Sequence, residues 1–321
     1  MKRSVRKVAP AISSRESMTL LGLRQALGRV GLPVWFLLID TQLIGQKIQP
    51  GGDAVLYARG ARAFLDGGNP WDAVLVGSGQ SFHFAGLPPT VLAFIPFAGL
   101  AEAATAWGWV ALSVASALYI VRRLRLPWWY LAFPPLVLGV YAGNPQIALL
   151  ALLLAGAGPL GAMLKVYAVV PLAGEGRWRA LAVTVGIFGA SVLVAPGLWT
   201  SWLGQLGAVS ATLASEANGG FSAWGQPWPL LLATVVALVV IAWQDRRAAG
   251  WLAVPALWPA SEYYYATMIL PLATPLLAFA MAIPWYGVPA LVTVGYAVTL
   301  LVRAYGKGRR PFRPAVLAGA A

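Results

Sequence analysis

The chain has 321 residues, 59% of them hydrophobic and only 10% charged, with a formal net charge of +13 and a mean hydropathy of +0.72. A soluble domain carries about 25% charged residues, so a water-soluble globular fold is excluded, and the absence of cysteine excludes disulfide frameworks and thiolate metal sites. The basic residues gather at the termini and in short turns, which fits a cytoplasmic membrane face against anionic lipid and speaks against nucleic-acid binding.

Residues 1–27 form a basic segment, with Lys2, Arg3, Arg6, Lys7, Arg15 and Arg24 ahead of the first apolar run and Arg29 at its start. No secretory cleavage pattern follows, so the first span reads as retained and the N-terminus as cytoplasmic. Apolar runs predict spans at 28–46, 87–101, 104–121, 127–142, 145–158, 159–173, 179–199, 228–244, 248–260, 263–282 and 285–304. Several fall short of the ~20 residues that a perpendicular crossing needs, so some are expected to be re-entrant or broken. Prolines inside them, Pro96, Pro134, Pro135, Pro171, Pro255 and Pro271, predict kinks. The expected fold is all-α, a polytopic transmembrane bundle of about nine to eleven helices. One transmembrane domain covers 28–304, followed by a basic tail over 305–321.

Two polar intervals, 47–86 and 200–227, interrupt the apolar pattern. In the first, PGGDAVLYARGARAFLDGGNPWDA has helical spacing from Asp53 to Asp66, with Val55, Leu56, Ala63 and Phe64 on an apolar stripe. That predicts a helix lying on the membrane surface, broken by GGNPW. The second interval has Glu216 as its only charge and many small residues, which predicts a mobile loop over a cleft. Counting every span as a full crossing puts both intervals outside, and puts Arg122, Arg123, Arg125 and the basic tail there too, against the positive-inside tendency.

Polar residues in this apolar setting carry the functional signal. Asp53 stands just after PGG and four residues before Tyr57, so the two share a helical face. It has two readings, an N-cap of the surface helix or a general base for an acceptor hydroxyl. Lys165, in LGAMLKVYAVVPL, has no acid nearby in sequence. A lone amine at membrane depth costs roughly 2.5–3.5 kcal/mol unless it snorkels or is paired. It reads either as a snorkelling side chain or as a cation for a lipid phosphate. Asp40, in WFLLIDTQL, is a cavity-lining acid or an interfacial one, and Glu262 opens a span after a Pro-Ala-Ser break, where a capping role suits it. Tyr263, Tyr264 and Tyr265 fit an interfacial aromatic belt. His83 is the only histidine, which leaves no metal-ligand cluster. No Gly-rich phosphate loop follows a strand.

The order of these residues resembles a known family. Asp53 and Tyr57, then Gly68-Asn69-Pro70-Trp71, then Pro88-Pro89 opening a span that contains Pro96, is similar to polyprenol-phosphate-sugar-dependent glycosyltransferases of the GT-C superfamily. Within it the pattern most resembles glycosyltransferase family 87, the mannosyltransferase-like group. Tyr141-Ala142-Gly143-Asn144-Pro145-Gln146 is similar to the family's glycine-glutamine-asparagine turn with its polar residues rearranged, and Met163-Leu164-Lys165 with Pro171 to its lysine-containing helix. Pro259 to Tyr265 is similar to the segment before a late span. Leu87 stands where the family has a tyrosine, and Glu262 or Tyr263 where some members have a functional histidine.

The resemblance implies an inverting hexosyltransferase, expected to use mannose, in the plasma membrane with its site facing outside. Its donor would be a polyprenyl-phosphate sugar, and its acceptor a hydroxyl of a lipid or glycan. Asp53 would be the catalytic aspartate, and Lys165 would meet the donor phosphate, with Arg59 and Arg62 as further candidates. Asp40, Tyr57, Asn69, His83, Asn144, Gln146, Glu262 and Tyr263 are the candidate cleft residues. Interval 200–227 would be the loop that orders over bound donor. No cofactor and no metal site are assigned. Two alternatives stay open: a flippase for a lipid-linked sugar, and a non-catalytic relative whose aspartate only caps a helix.

Overall fold

A computed structural model describes residues 30–44, 49–77, 80–216, 220–259 and 261–306. The basic segment 1–27, Lys47 and the tail beyond Gly306 lie outside the described residues. The architecture is almost entirely helical. Helix α1 (Leu32–Ile44) precedes α2 (Gly52–Leu65), a 3₁₀ turn (Pro70–Asp72) and an antiparallel hairpin of β1 (Val74–Gly77) and β2 (Gln80–His83). Its register pairs Val74 with His83 and Leu75 with Phe82. The hairpin is a feature that the all-α expectation lacks. Val74-Leu75-Val76 is apolar and has two β-branched valines, but it is too short to stand out from the surrounding hydrophobic sequence.

Helices α3 (Pro88–Ala98), α4 (Glu102–Arg123), α5 (Pro134–Tyr141), α6 (Pro145–Ala155), α7 (Gly158–Leu164) and α8 (Val169–Gly174) follow. A 3₁₀ turn over Trp128–Ala132 leads into α5, and one over Val166–Ala168 separates α7 from α8. Then come α9 (Trp178–Val194), α10 (Pro196–Glu216), α11 (Trp228–Gln244) and α12 (Arg246–Leu257). A 3₁₀ segment (Tyr263–Leu272), α13 (Pro275–Met281) and α14 (Val288–Gly306) complete the described chain.

Of the nine to eleven helices expected at membrane depth, some short or re-entrant, two among the described residues, α4 and α14, are long and apolar enough to cross singly, and two sharply bent pairs, α5–α6 at 114° and α9–α10 at 101°, raise this to four if each is one span. Proline and glycine cut the apolar runs into pieces. Pro88 opens α3, Gly99 closes it, Pro134 and Pro145 open α5 and α6, and Pro196 opens α10. The predicted span 87–101 is an 11-residue apolar helix, about 16 Å long, shorter than a perpendicular crossing needs. Interval 200–227 is corrected, since α10 continues helical to Glu216. Large apolar side chains stand on the outside, among them Leu193, Val194, Val185 and Leu276. Surface of this kind suits a lipid environment rather than water.

Two apolar cores meet near the middle of the fold. One gathers Phe133, Ile147, Leu150, Trp251, Met268 and Ile269 from α5, α6, α12 and the 3₁₀ segment. The other joins α2, α3, α4 and the hairpin through Val55, Phe84, Phe94 and Trp109. Where they touch, backbones approach without side chains between them. Gly51 has φ +67°, and a Cβ there would lie 2.5 Å from Ala106 Cα, while a Cβ on Gly143 (φ +64°) would lie 2.8 Å from Gly51 Cα. Only glycine fits either position. From Ala106, α4 runs on for about 25 Å to Arg122 and Arg123. Those arginines therefore sit remote from Gly51 and Asp53.

Candidate functional site

The start of α2 is sewn to the end of α5. Gly51 N–H donates to the Tyr141 carbonyl at 2.8 Å, and Asp53 N–H donates to the Ala142 carbonyl at 3.0 Å. Helix-terminal N–H groups need such acceptors, and here neighbouring backbone supplies them. Gly51 holds the N-cap position with no side-chain cap. The capping reading of Asp53 is thereby corrected, and its carboxylate is left for other partners.

Those partners come from three distant segments. Asn144 caps α6 by accepting from Gln146 N–H through Oδ1, and its amide donates to Asp53 Oδ2. Lys165 acts on Asp53 as a nearby positive charge, and the Tyr264 hydroxyl also favours its anion. Burial raises the Asp53 carboxyl above its ordinary value, against the lowering effects of the Asn144 bond, the Lys165 charge and the Tyr264 hydroxyl, in that order. A carboxylate with raised basicity and an ordered partner suits proton acceptance.

Lys165 sits at the apex between α7 and α8, where the chain is extended for one residue (φ −152°, ψ 125°). Its ammonium donates to Tyr265 Oη at 3.3 Å and lies 4.8 Å from that ring's centroid, 5.4 Å from Tyr264's and 5.9 Å from Tyr167's. Tyr57, one turn after Asp53, also interacts electrostatically with Lys165. Three aromatic faces stabilise the cation without neutralising it. The snorkelling reading does not fit this enclosure. Behind them, Tyr167 donates to Gln146 Oε1, and Gln146 Nε2 donates to Thr267 Oγ1 at 3.2 Å. Asp53, Tyr57, Lys165 and Tyr264 are partly exposed, whereas Asn144, Gln146, Tyr167, Tyr265 and Thr267 are buried. An open polar rim thus stands on a closed polar floor.

Sequence reading therefore brought together Asp53, Tyr57, Asn144, Gln146 and Lys165, and these do converge. The remaining candidates are placed elsewhere. Arg59 pairs with Glu102 at 2.7 Å and donates to the Val74 carbonyl, and Arg62 donates to the Ala98 and Leu100 carbonyls. Both fasten α2 to the hairpin and to the α3–α4 turn and are withdrawn as phosphate ligands. Asn69 donates to Asp72 within its turn, and His83 ends β2 opposite Val74. Asp40 is buried on α1 beside Tyr263, with Oδ1 unpartnered. Tyr263 turns its hydroxyl to the Ala282 carbonyl, away from Asp53. Glu262 holds the N-cap position of the 3₁₀ segment without a side-chain cap bond, and acts electrostatically on Tyr264. Tyr167, Tyr264, Tyr265 and Thr267 were missed. The one available signal was three consecutive tyrosines, which composition alone assigns to an interfacial belt.

Beside the cluster lies an apolar cleft of about 460 Å³ between α3, α4 and α6. Ala148, Ala151 and Ala155 line it from α6, Trp109 and Tyr119 from α4, and Leu164, next to Lys165, closes one side. Among the described residues, no three His, Asp or Glu side chains gather as metal ligands. No family model, curated protein or solved structure matches the chain.

Proposed function

We propose that this protein is a multi-pass membrane glycosyltransferase with a GT-C-like helical bundle, moving a hexose, expected to be mannose, from a polyprenyl phosphate to a lipid or glycan hydroxyl. The observation that carries this reading is one juxtaposition. A partly exposed carboxylate and an un-neutralised ammonium share a rim, and an apolar cleft begins at the residue next to that ammonium. A general base, a phosphate cation and a slot for a greasy chain are the three things such a donor and acceptor require.

The chemistry is a single displacement. Asp53 takes the proton of the acceptor hydroxyl as its oxygen forms a bond to the anomeric carbon. The bond from that carbon to the phosphate oxygen breaks on the opposite face, and its electrons leave with the polyprenyl phosphate. Lys165 stabilises the charge developing there. One in-line step inverts the anomeric configuration. Asn144 and Tyr264 orient the base, while Tyr57, Tyr167 and Tyr265 hold the ammonium in place. The site is assigned to the extracytoplasmic side of the plasma membrane, because the arginine-bearing end of α4 is remote from it and positive ends favour the cytoplasm.

The test is incubation of purified protein with a panel of polyprenyl-phosphate hexoses plus membrane lipid and glycan acceptors, with released polyprenyl phosphate measured. Release with at least one donor that disappears in Asp53→Asn supports the assignment. Absence of release across the panel, together with movement of labelled lipid-linked sugar in sealed vesicles, turns the reading over to transport.

A further inference from the structure

At the end of the fold remote from Asp53, two turns fuse into a single basic surface. Residues 175–177 connect α8 to α9, and Asp245 connects α11 to α12. They are brought together by a backbone contact, since a Cβ on Gly174 would lie 2.8 Å from Gly250 Cα. Arg177 Nη1 also donates to the Leu153 carbonyl near the end of α6 at 2.8 Å, which fixes the level of this surface against the helix that starts at Asn144.

The acids here are already engaged. Glu175 accepts from the Trp251 indole N–H at 3.0 Å and has Arg247 at 3.4 Å and Arg177 at 3.7 Å. Asp245 accepts from Ala248 N–H as the cap of α12. Two arginines keep donors to spare. Arg246 uses Nε on the Gly174 carbonyl at 3.2 Å and sets its guanidinium 6.0 Å from the Trp178 ring centroid. Arg179 is exposed, with no acid pairing it among the described residues. Trp178 between them is 62% exposed, and Val183 and Val185 continue an exposed apolar face along α9. Exposed indole and cations stand together at the start of α9 and α12, and the apolar face of α9 begins within two turns of them, an arrangement that suits a phospholipid's headgroup above its chains.

We propose that Arg179 and Arg246, with Trp178 between them, form a binding site for the phosphate headgroup of an anionic membrane phospholipid. The apolar face below the arginines selects a lipid over a soluble anion. The chain's own terminal segments do not compete for it, because Lys2, Arg3, Arg6, Lys7 and Arg309, Arg310 and Arg313 make them basic too. This site is independent of any transferase activity.

Spin-labelled phosphatidylglycerol and phosphatidylcholine, each added to the purified full chain in phosphatidylcholine nanodiscs, test it by the fraction of label immobilised on the protein. The expected result is a preference for phosphatidylglycerol of roughly fivefold or more, about the factor one arginine near an anionic surface supplies. Arg179→Gln with Arg246→Gln should bring the two lipids near parity, and Arg179→Lys with Arg246→Lys should keep most of the preference. Arg179→Gln alone, at an exposed position, should lower it without disturbing the fold. Equal immobilisation of both lipids by the unaltered chain, or an undiminished preference in the glutamine pair, overturns the proposal. Displacement of the labelled lipid by inorganic phosphate alone overturns it too, and makes this a soluble-anion site.

Discussion

Asn144 donates its side-chain amide to the Asp53 carboxylate across 91 residues of sequence. The same side chain accepts the Gln146 N–H at the head of α6, so one residue both caps a helix and aims a carboxylate. It fixes the orientation of its amide by that double duty, because only one end of an amide donates.

Removing the base should end transfer with the fold intact. Asp53→Asn or Asp53→Ala should lower turnover by about 10²–10⁴-fold, the range a positioned general base contributes. Polyprenyl phosphate release in purified protein measures it, with elution from size exclusion as the check on folding. Turnover near the unaltered level removes Asp53 from the chemistry.

The pH profile should carry the mark of Asn144. The Asp53 carboxyl lies above its ordinary value because burial outweighs the bond from Asn144 and the Lys165 charge. Activity that needs the anion therefore rises with pH through a midpoint above the usual carboxylate value of about 3.9. Asn144→Leu deletes a bond that favours the anion, so its acid limb should move to higher pH. A limb that stays in place or moves down contradicts the orienting role.

Lys165 should be felt mainly in donor use. A hydrogen bond to a charged group is worth about 1.5–3 kcal/mol, so Lys165→Ala should raise the donor concentration for half-maximal rate by about ten-fold or more. Tyr265→Phe, which removes one acceptor and leaves the ring, should do much less. Donor dependence that is the same in Lys165→Ala assigns the amine a structural place.

Filling the cleft should separate chain from headgroup. Ala151 lines it from α6, and Ala151→Trp places a bulky ring in that space. Turnover of a long-chain donor should fall steeply, while a short-chain analogue should be used nearly as well as by the unaltered protein. Equal losses for both donors indicate a distorted site instead of a blocked slot.

The glycine contacts should be intolerant of any side chain. Gly51→Ala combines a left-handed backbone with a Cβ 2.5 Å from Ala106 Cα, a strain on the order of 1–3 kcal/mol before any clash is counted. Thermal unfolding in detergent should drop by several degrees, with Gly143→Ala behaving alike and Gly204→Ala, which meets nothing within 4 Å, serving as the comparison.

Much of the site was legible because an apolar chain makes each polar residue conspicuous. Asp53 and Tyr57 declared a shared helix face, PGG and GGNPW marked its ends, and Lys165 stood out by isolation. Arg59 was misread because its true partner, Glu102, lies 43 residues away, beyond what a helical face can show. The tyrosines were misread for a different reason. The 3₁₀ geometry of residues 263–272 turns successive side chains by about 120°, so Tyr263 faces Ala282 while Tyr264 and Tyr265 reach Asp53 and Lys165. Nothing in a run of three identical residues separates those directions. Run length measures apolarity and not continuity, so it does not show where prolines such as Pro145 and Pro196 open new helices within apolar sequence.

The weld at Gly51, Ala106 and Gly143 has a mechanical corollary. Main chains that abut directly have no rotamers to absorb a displacement, so α2, α4 and the α5–α6 elbow must travel as a block. Any breathing that admits a bulky molecule has to come from parts not clamped there, and α10, bent at 101° from α9, is free of that clamp. Entry and exit, on this view, belong to the periphery, while the carboxylate keeps a constant address.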